Sequence, residues 1–354
     1  MTQPAPNSLC ILRLSALGDV THVLPIIHTL RTHWPTTRLT WVIGKLEAQL
    51  VGDLPDVEFI VFDKSAGWRG FRDLRRQLAN RQFDVALLMQ VSLRANLVGI
   101  GIKSPLRIGY DKQRSKDGHG LFVNRRIPAT HGQHVVDSFF SFLSTAGLEA
   151  RELNWNLPIP DSARAFAETH LPGQAPTLII NPCASHARRN WLPERYAALA
   201  DHAANVHGMR VVLSGGPSAL EREMGEMITT HMQSPPINLI GKDTLKQFLG
   251  LLKKAHVLIT PDSGPAHMAA ITGTPVLGLY AASNVERSGP YFSRQWCVNK
   301  YDEAANKFKG KPAATLPWGT KLEYPGVMDL IQVEEVKDKL DKLMKDVYSH
   351  SKGT

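Results

Sequence analysis

The stretch Ile259–Tyr280, ITPDSGPAHMAAITGTPVLGLY, reads as a strand end, a polar turn, a helix of small residues and a second strand. His256-Val257-Leu258-Ile259 is short, apolar and β-branched, the pattern of a buried strand. Pro261-Asp262-Ser263-Gly264 breaks that run, and Pro265–Ala270 opens a helix. Asp262 or Ser263 is placed to cap the helix, and Pro265 is tolerated in its first turn. Thr274-Pro275 restarts an extended run, Val276–Tyr280. A helix that begins at the carboxyl end of a parallel strand presents unpaired N–H groups and a positive dipole end, a site suited to phosphate or diphosphate. His267, one turn in, is placed to face such a group, and Asp262 to accept from a ribose hydroxyl or a protein N–H. The same residues serve equally well as an ordinary cap and a satisfied histidine.

Outward from this stretch the pattern repeats. Strands are expected over 178–181, 210–214 and 237–240, and helices over 193–207, 219–231, 244–254 and 265–272. Two loops join Asp262 on the carboxyl edge of the same sheet. One is Pro182–Trp191, PCASHARRNW, whose Ser185, Arg188 and Arg189 suit phosphates. The other is Ser214-Gly215-Gly216-Pro217, a tight strand-to-helix turn with Glu221 following. Convergence of three loops on one edge favours a ligand site over turn chemistry alone.

The first half alternates in the same way. Leu9-Cys10-Ile11-Leu12 reads as a strand buried on both faces. It runs into Arg13-Leu14-Ser15-Ala16-Leu17-Gly18-Asp19, and then Val20, Val23, Leu24, Ile27 and Leu30 recur at helical spacing. Asp19 therefore sits at a strand–loop–helix junction, as a helix cap or as an active group. Strands follow over 39–43, 59–62 and 85–89, with helices over 71–81 and 94–102. Basic residues gather from Arg94 through Lys103, Arg107, Lys112, Arg114 and Lys116 to Arg125 and Arg126, a solvated face or an anion-binding acceptor site. His134 opens an apolar helix through Leu143.

A chain of 354 residues is too long for one compact core and points to two domains. The expected division is a first domain over 1–160, a linker region over 161–176 in which prolines flank a short helical piece, a second domain over 177–330, and a C-terminal helix within 331–354 packing at the domain joint. The formal charge of +9 favours anionic partners. No apolar run reaches the roughly 18–20 residues of a membrane span, and no signal peptide is expected from the N-terminal residues. Cys10, Cys183 and Cys297 are few and far apart, so neither a disulfide framework nor a zinc pattern is expected, and a reducing cytosolic setting is. Interleaved aromatic and basic residues of the base-stacking type are missing, which argues against nucleic acid.

The stretch ILRLSALGDVTHVLPIIHTLR resembles the opening of the bacterial lipopolysaccharide heptosyltransferases, glycosyltransferase family 9. TPDSGPAHMAAITGTPVLGLY is similar to that family's second signature, and FDVALLMQVSLRANLVG, RIGYD, HVVD, RRNWLPERYAAL and VVLSGGP lie between them in the family's order. The resemblance implies a GT-B architecture: two Rossmann-like domains with parallel sheets facing a central cleft, acceptor on the first and nucleotide sugar on the second. It implies an inverting transfer of heptose from ADP-L-glycero-D-manno-heptose to the Kdo/heptose inner core of lipopolysaccharide, without metal or other cofactor. Asp19 is the implied general base, since a carboxylate within about 3 Å of an alcohol can take its proton as the new bond forms. Arg13 stands beside it where the family commonly has lysine. Ser185, Arg189, Glu221, Thr244, Asp262, Ser263, Gly264 and His267 are the expected donor-side residues, with Arg189 again in place of a lysine. Ser15, Gly18, Arg94, Arg107 and His134 are those expected on the acceptor side. The partners implied are the nucleotide sugar and Kdo-lipid A or the heptosylated inner core, with peripheral association at the cytoplasmic face of the inner membrane. Tyr301–Tyr324 shows no regular period and reads as a loop over the cleft.

Overall fold

The computed structural model describes residues 4–348. The chain divides into two units, Met1–Pro158 and Ile159–Thr354, each with its own core. The first unit carries strands β1 (Ser8–Leu12), β2 (Arg38–Gly44), β3 (Val57–Phe62), β4 (Val85–Leu88), β5 (Leu106–Gly109) and β6 (Arg125–Arg126). They form one parallel sheet in the order β3-β2-β1-β4-β5-β6. The second unit carries β7 (Thr177–Ile180), β8 (Arg210–Leu213), β9 (Ile237–Asn238), β10 (Val257–Pro261), β11 (Val276–Tyr280) and β12 (Val298–Asn299). Their order is β12-β11-β10-β7-β8-β9, all parallel. Read from the other edge this is the same arrangement, the doubly wound Rossmann order.

That order places each site. The order in which strands are added reverses between β1 and β4 in one sheet and between β7 and β10 in the other, and ligands bind outside the carboxyl ends of strands at such switch points. The central strands are buried throughout: Leu9, Cys10 and Ile11 in β1, and Val257, Leu258 and Ile259 in β10, are 0% exposed. Each such Leu, Ile or Val contributes about 1.5–3 kcal/mol by leaving water. This anchors the loops that follow.

Two expectations are corrected here. Residues 161–176 are no linker, because Asp161–His170 form a helix that packs on the helix Leu245–Lys254 of the second unit. Gly250 permits the close approach: a Cβ there would run into the Ala163 carbonyl oxygen. Tyr301–Lys309, expected as loop, is a helix with Tyr301, Ala304 and Ala305 buried. Small alanines on its inner face give a weak apolar signal, which is why the period is hard to read. The C-terminal helix Val333–Tyr348 buries Val336, Leu340 and Leu343 in the core of its own unit, against the helix Pro193–His207 and strands β11 and β12. The last residues of that expected segment, 349–354, lie outside the described residues. Among the described residues no helix is long and apolar enough to cross a membrane.

Candidate functional site

In the second unit the groups gather at the carboxyl ends of β7 and β10. Asp262 directly follows β10 and its side chain is buried. Its Oδ2 accepts from Ser283 Oγ at 2.6 Å, from Lys321 Nζ, and from Arg189 Nη1 at 3.3 Å. Burial alone would raise the Asp262 pKa, but the Lys321 ammonium, the Ser283 hydroxyl and nearby His267 hold it down at about 2. The carboxylate is therefore a fixed negative charge.

Arg189 ties the β7 loop to the β10 loop. Its Nη1 donates to the Asp262 carbonyl oxygen at 2.9 Å, and its Nη2 donates to Ser185 Oγ at 2.7 Å. Its Nε stands 3.2 Å from Glu323 Oε1 in an ion pair that is not aligned as a hydrogen bond. Two carboxylates thus balance the Arg189 and Lys321 cations, and each cation retains N–H groups for a further anion.

The helix Gly264–Thr272 starts at this point. Neither Asp262 nor Ser263 caps it: the Ser263 hydroxyl pairs with Thr260 Oγ1 at 2.8 Å, and no side chain caps the N-terminus among the described residues. Pro265 has no N–H, so Gly264 and Ala266 supply the first-turn donors. His267 sits in that first turn, mostly buried. A helix start of this kind, beside two cations and a switch point, has the chemistry that suits an anion.

Ser185, Arg189, Asp262, Ser263, Gly264 and His267 are brought together here. Glu221 and Thr244 make local contacts. Glu221 accepts from the Gly216 N–H at 2.8 Å and from Ser218 Oγ at 2.6 Å, which fixes the double-glycine turn. Thr244 forms a capping box with Gln247 at the start of the helix Leu245–Lys254. Lys321, Glu323 and Ser283 were not among the expected residues. Ser283 lies just past β11, while Lys321 and Glu323 belong to the aperiodic stretch.

In the first unit the Arg13 guanidinium pairs with Asp19 Oδ2, donates to the Met89 carbonyl at 2.5 Å and lies 5.4 Å over the Phe139 ring. The Ala16 N–H donates to the same Asp19 Oδ2 at 3.3 Å. Both contacts fall on one oxygen of this one-third-exposed carboxylate. Gln90, the first polar side chain after β4, accepts from the Leu14 N–H at 2.7 Å and the Ser15 N–H at 3.3 Å, and its amide donates to Ser15 Oγ at 3.2 Å. The loop after β1 is thereby held from the switch point. A cavity of about 250 Å³ opens beside it, lined by Ser15, Lys45, Glu47, Lys64, Gln90 and Arg94 among others. Gly18 is buried in the short helix Leu17–Thr21, where its carbonyl accepts from Thr21 Oγ1 at 2.6 Å.

Arg107 and His134 depart from expectation. Arg107 turns inward and donates to the carbonyls of Phe122 and Gly99, both at 2.8 Å, and of Ile102. It staples loops together and is not presented to an acceptor. His134 is buried and caps the helix Val135–Thr145, its Nδ1 accepting from the Val136 N–H at 3.1 Å. Burial pushes the thiols of Cys183 and Cys297 up to about 12 and that of Cys10 higher still, so none is a nucleophile near neutral pH.

Comparison with known proteins agrees with this geometry. Residues 71–317 match the profile of glycosyltransferase family 9 (heptosyltransferase). The chain is 42% identical over 339 residues to the lipopolysaccharide core heptosyltransferase OpsX of Haemophilus influenzae, covering 96% of this chain and 97% of that one. Its fold is similar to a glycosyl transferase family 9 structure from Veillonella parvula, with TM-score 0.78 and 23% identity over 96% of this chain and 97% of that chain. It is also similar to the E. coli heptosyltransferase WaaC with ADP, with TM-score 0.71 and 18% identity over 95% of this chain and 99% of that chain. The chain belongs to glycosyltransferase family 9, the heptosyltransferases.

Proposed function

We propose that this heptosyltransferase moves heptose from ADP-L-glycero-D-manno-heptose to the Kdo/heptose inner core of lipopolysaccharide, in one displacement with inversion at the anomeric carbon. The observation that carries the donor side is the uncapped start of the helix Gly264–Thr272 beside Arg189 and Lys321. Charge that grows on a departing diphosphate is stabilised by such preorganised N–H groups and cations. Two relatives support the reading: OpsX by its name acts in the lipopolysaccharide core, and the WaaC structure holds ADP.

On the acceptor side Asp19 takes the proton of the attacking hydroxyl, with Arg13 and the Ala16 N–H fixing the carboxylate. Lys45, Lys64 and Arg94 around the neighbouring cavity suit the carboxylates and phosphates of an inner-core sugar chain. Arg189 and the helix dipole supply the charge that a divalent ion provides in other transferases, so transfer proceeds without metal. The enzyme works at the cytoplasmic face of the inner membrane, where its lipid-linked acceptor lies.

Calorimetric titration with ADP, UDP and GDP tests the donor assignment, followed by transfer assays with ADP-heptose and determination of the product's anomeric configuration. ADP is expected to bind, with Asp262→Asn and Arg189→Ala weakening it by roughly 10- to 100-fold, about 1.4 to 2.8 kcal/mol. Preference for UDP or GDP would leave the fold intact and end the ADP-heptose assignment.

A further inference from the structure

Away from the strand ends, two histidines and one aspartate converge on a single point. His202 and His207 lie on the helix Pro193–His207, and Asp341 on the C-terminal helix Val333–Tyr348 that packs against it. His202 Nε2 stands 2.7 Å and His207 Nε2 2.6 Å from the same oxygen, Asp341 Oδ1. The three ligand atoms lie within 4.8 Å of one another. The imidazoles are 18% exposed and the carboxylate 43%, so one flank stays open to water. A cavity of about 540 Å³ adjoins it, with His202, Asp201, Glu194, His231 and Lys337 in its wall.

We infer that His202, His207 and Asp341 form a binding site for a borderline divalent transition-metal ion, of the zinc, cobalt or nickel class, which clasps the C-terminal helix to the second domain. Two imidazoles and one carboxylate oxygen are a donor set that suits those ions and disfavours magnesium and calcium, which prefer oxygen alone. The geometry is within reach. Bonds of about 2.0–2.2 Å at a tetrahedral angle separate ligand atoms by roughly 3.4 Å. The two Nε2–Oδ1 separations, 2.7 and 2.6 Å, therefore have to widen by less than about 1 Å, a side-chain adjustment open to a half-exposed carboxylate. Each imidazole then offers its Nε2 lone pair, with the proton on Nδ1, and water completes the shell. The role is structural. The ligands sit on two packed helices, and none lies on the strand ends that carry the donor groups, so this reading stands apart from the proposed chemistry.

The test uses full-length protein freed of any purification tag and stripped with chelator. Zinc chloride is titrated by calorimetry, and cobalt(II) serves as a visible-absorption probe of the ligand set. One ion per chain is expected, with a rise in Tm. Asp341→Asn and His207→Gln are each expected to weaken binding by at least about 10-fold and to abolish the Tm rise, while ADP binding stays as in the parent. His207 ends its helix, so its variant keeps the fold even if the aspartate variant does not. Absence of stoichiometric binding, or binding unchanged in both variants, would reduce the cluster to a hydrogen-bonded helix contact and overturn the inference.

Discussion

A carboxylate as deeply buried as that of Asp262 would ordinarily bind a proton near neutral pH. Here Lys321, Ser283 and His267 keep it charged, with a pKa of about 2. A folded-state value depressed from 3.8 contributes stability that is present above about pH 4 and is lost as pH falls through 2. The size is about 2 kcal/mol, from a little under two pKa units at 1.36 kcal/mol each. Lys321→Met removes the strongest counter-charge and leaves burial to dominate. Its acid loss is expected to begin at higher pH, with stability at pH 7 lower by about 3 kcal/mol, the scale for breaking a buried pair. Urea unfolding across that pH range measures both, and curves that superimpose on the parent's would refute the linkage. Asp19→Asn is expected to act differently: kcat falls roughly 10²- to 10⁴-fold while ADP affinity is retained, because the amide keeps the Ala16 contact and cannot take a proton. Asp19 and Asp262 were readable because each sits where an apolar run breaks into a polar turn. Lys321 was not, since its role depends on a stretch without period folding back onto β10 from 59 residues away in sequence.

At the scale of elements, the sequence pattern located helices and did not tell which of them pack by close approach. The helices Pro193–His207 and Ala219–His231 were legible. The helix Asp161–His170 was legible as a short helical piece, but it buries only Ala163 and Ala167, and the prolines at either end suggested a linker. Its contact with the helix Leu245–Lys254 rests on backbone proximity at Gly250, which no hydrophobic pattern encodes. That contact makes a prediction with two opposed terms. Gly250→Ala gains up to about 1 kcal/mol of helix propensity. Against this, the added methyl meets the Ala163 carbonyl, backbone that cannot swing aside, and overpacking of this kind costs about 1–3 kcal/mol. Net destabilisation of about 1 kcal/mol is expected in chemical denaturation. A more stable variant would mean that the two helices separate freely, and that residues 161–176 behave as the linker their composition suggested.

Over the whole molecule, the same strand order appears twice, and each copy carries its functional loops at its own switch point. The second copy fixes its cations in place: Arg189 and Lys321 are each paired with a carboxylate. In the first copy Lys64 and Arg94 are exposed beside the cavity near Asp19, and Lys45 pairs with half-exposed Asp63. The excess positive charge of +9 adds a long-range field to that side of the reaction. Exposed charges act through solvent and are screened, since the Debye length shrinks from about 30 Å at 0.01 M salt to about 10 Å at 0.1 M. Partly buried, hydrogen-bonded cations are screened far less. Rising salt is therefore expected to raise KM for the anionic sugar-chain acceptor several-fold, to leave kcat nearly constant, and to change ADP affinity much less. Lys64→Ala and Arg94→Ala should each flatten the salt dependence of the acceptor KM without touching nucleotide binding. Initial-rate kinetics over a salt series, with ADP calorimetry in the same buffers, separates the two. An acceptor KM indifferent to salt would mean that the exposed cations take no part in acceptor capture, and that recognition rests on neutral contacts with the sugar hydroxyls.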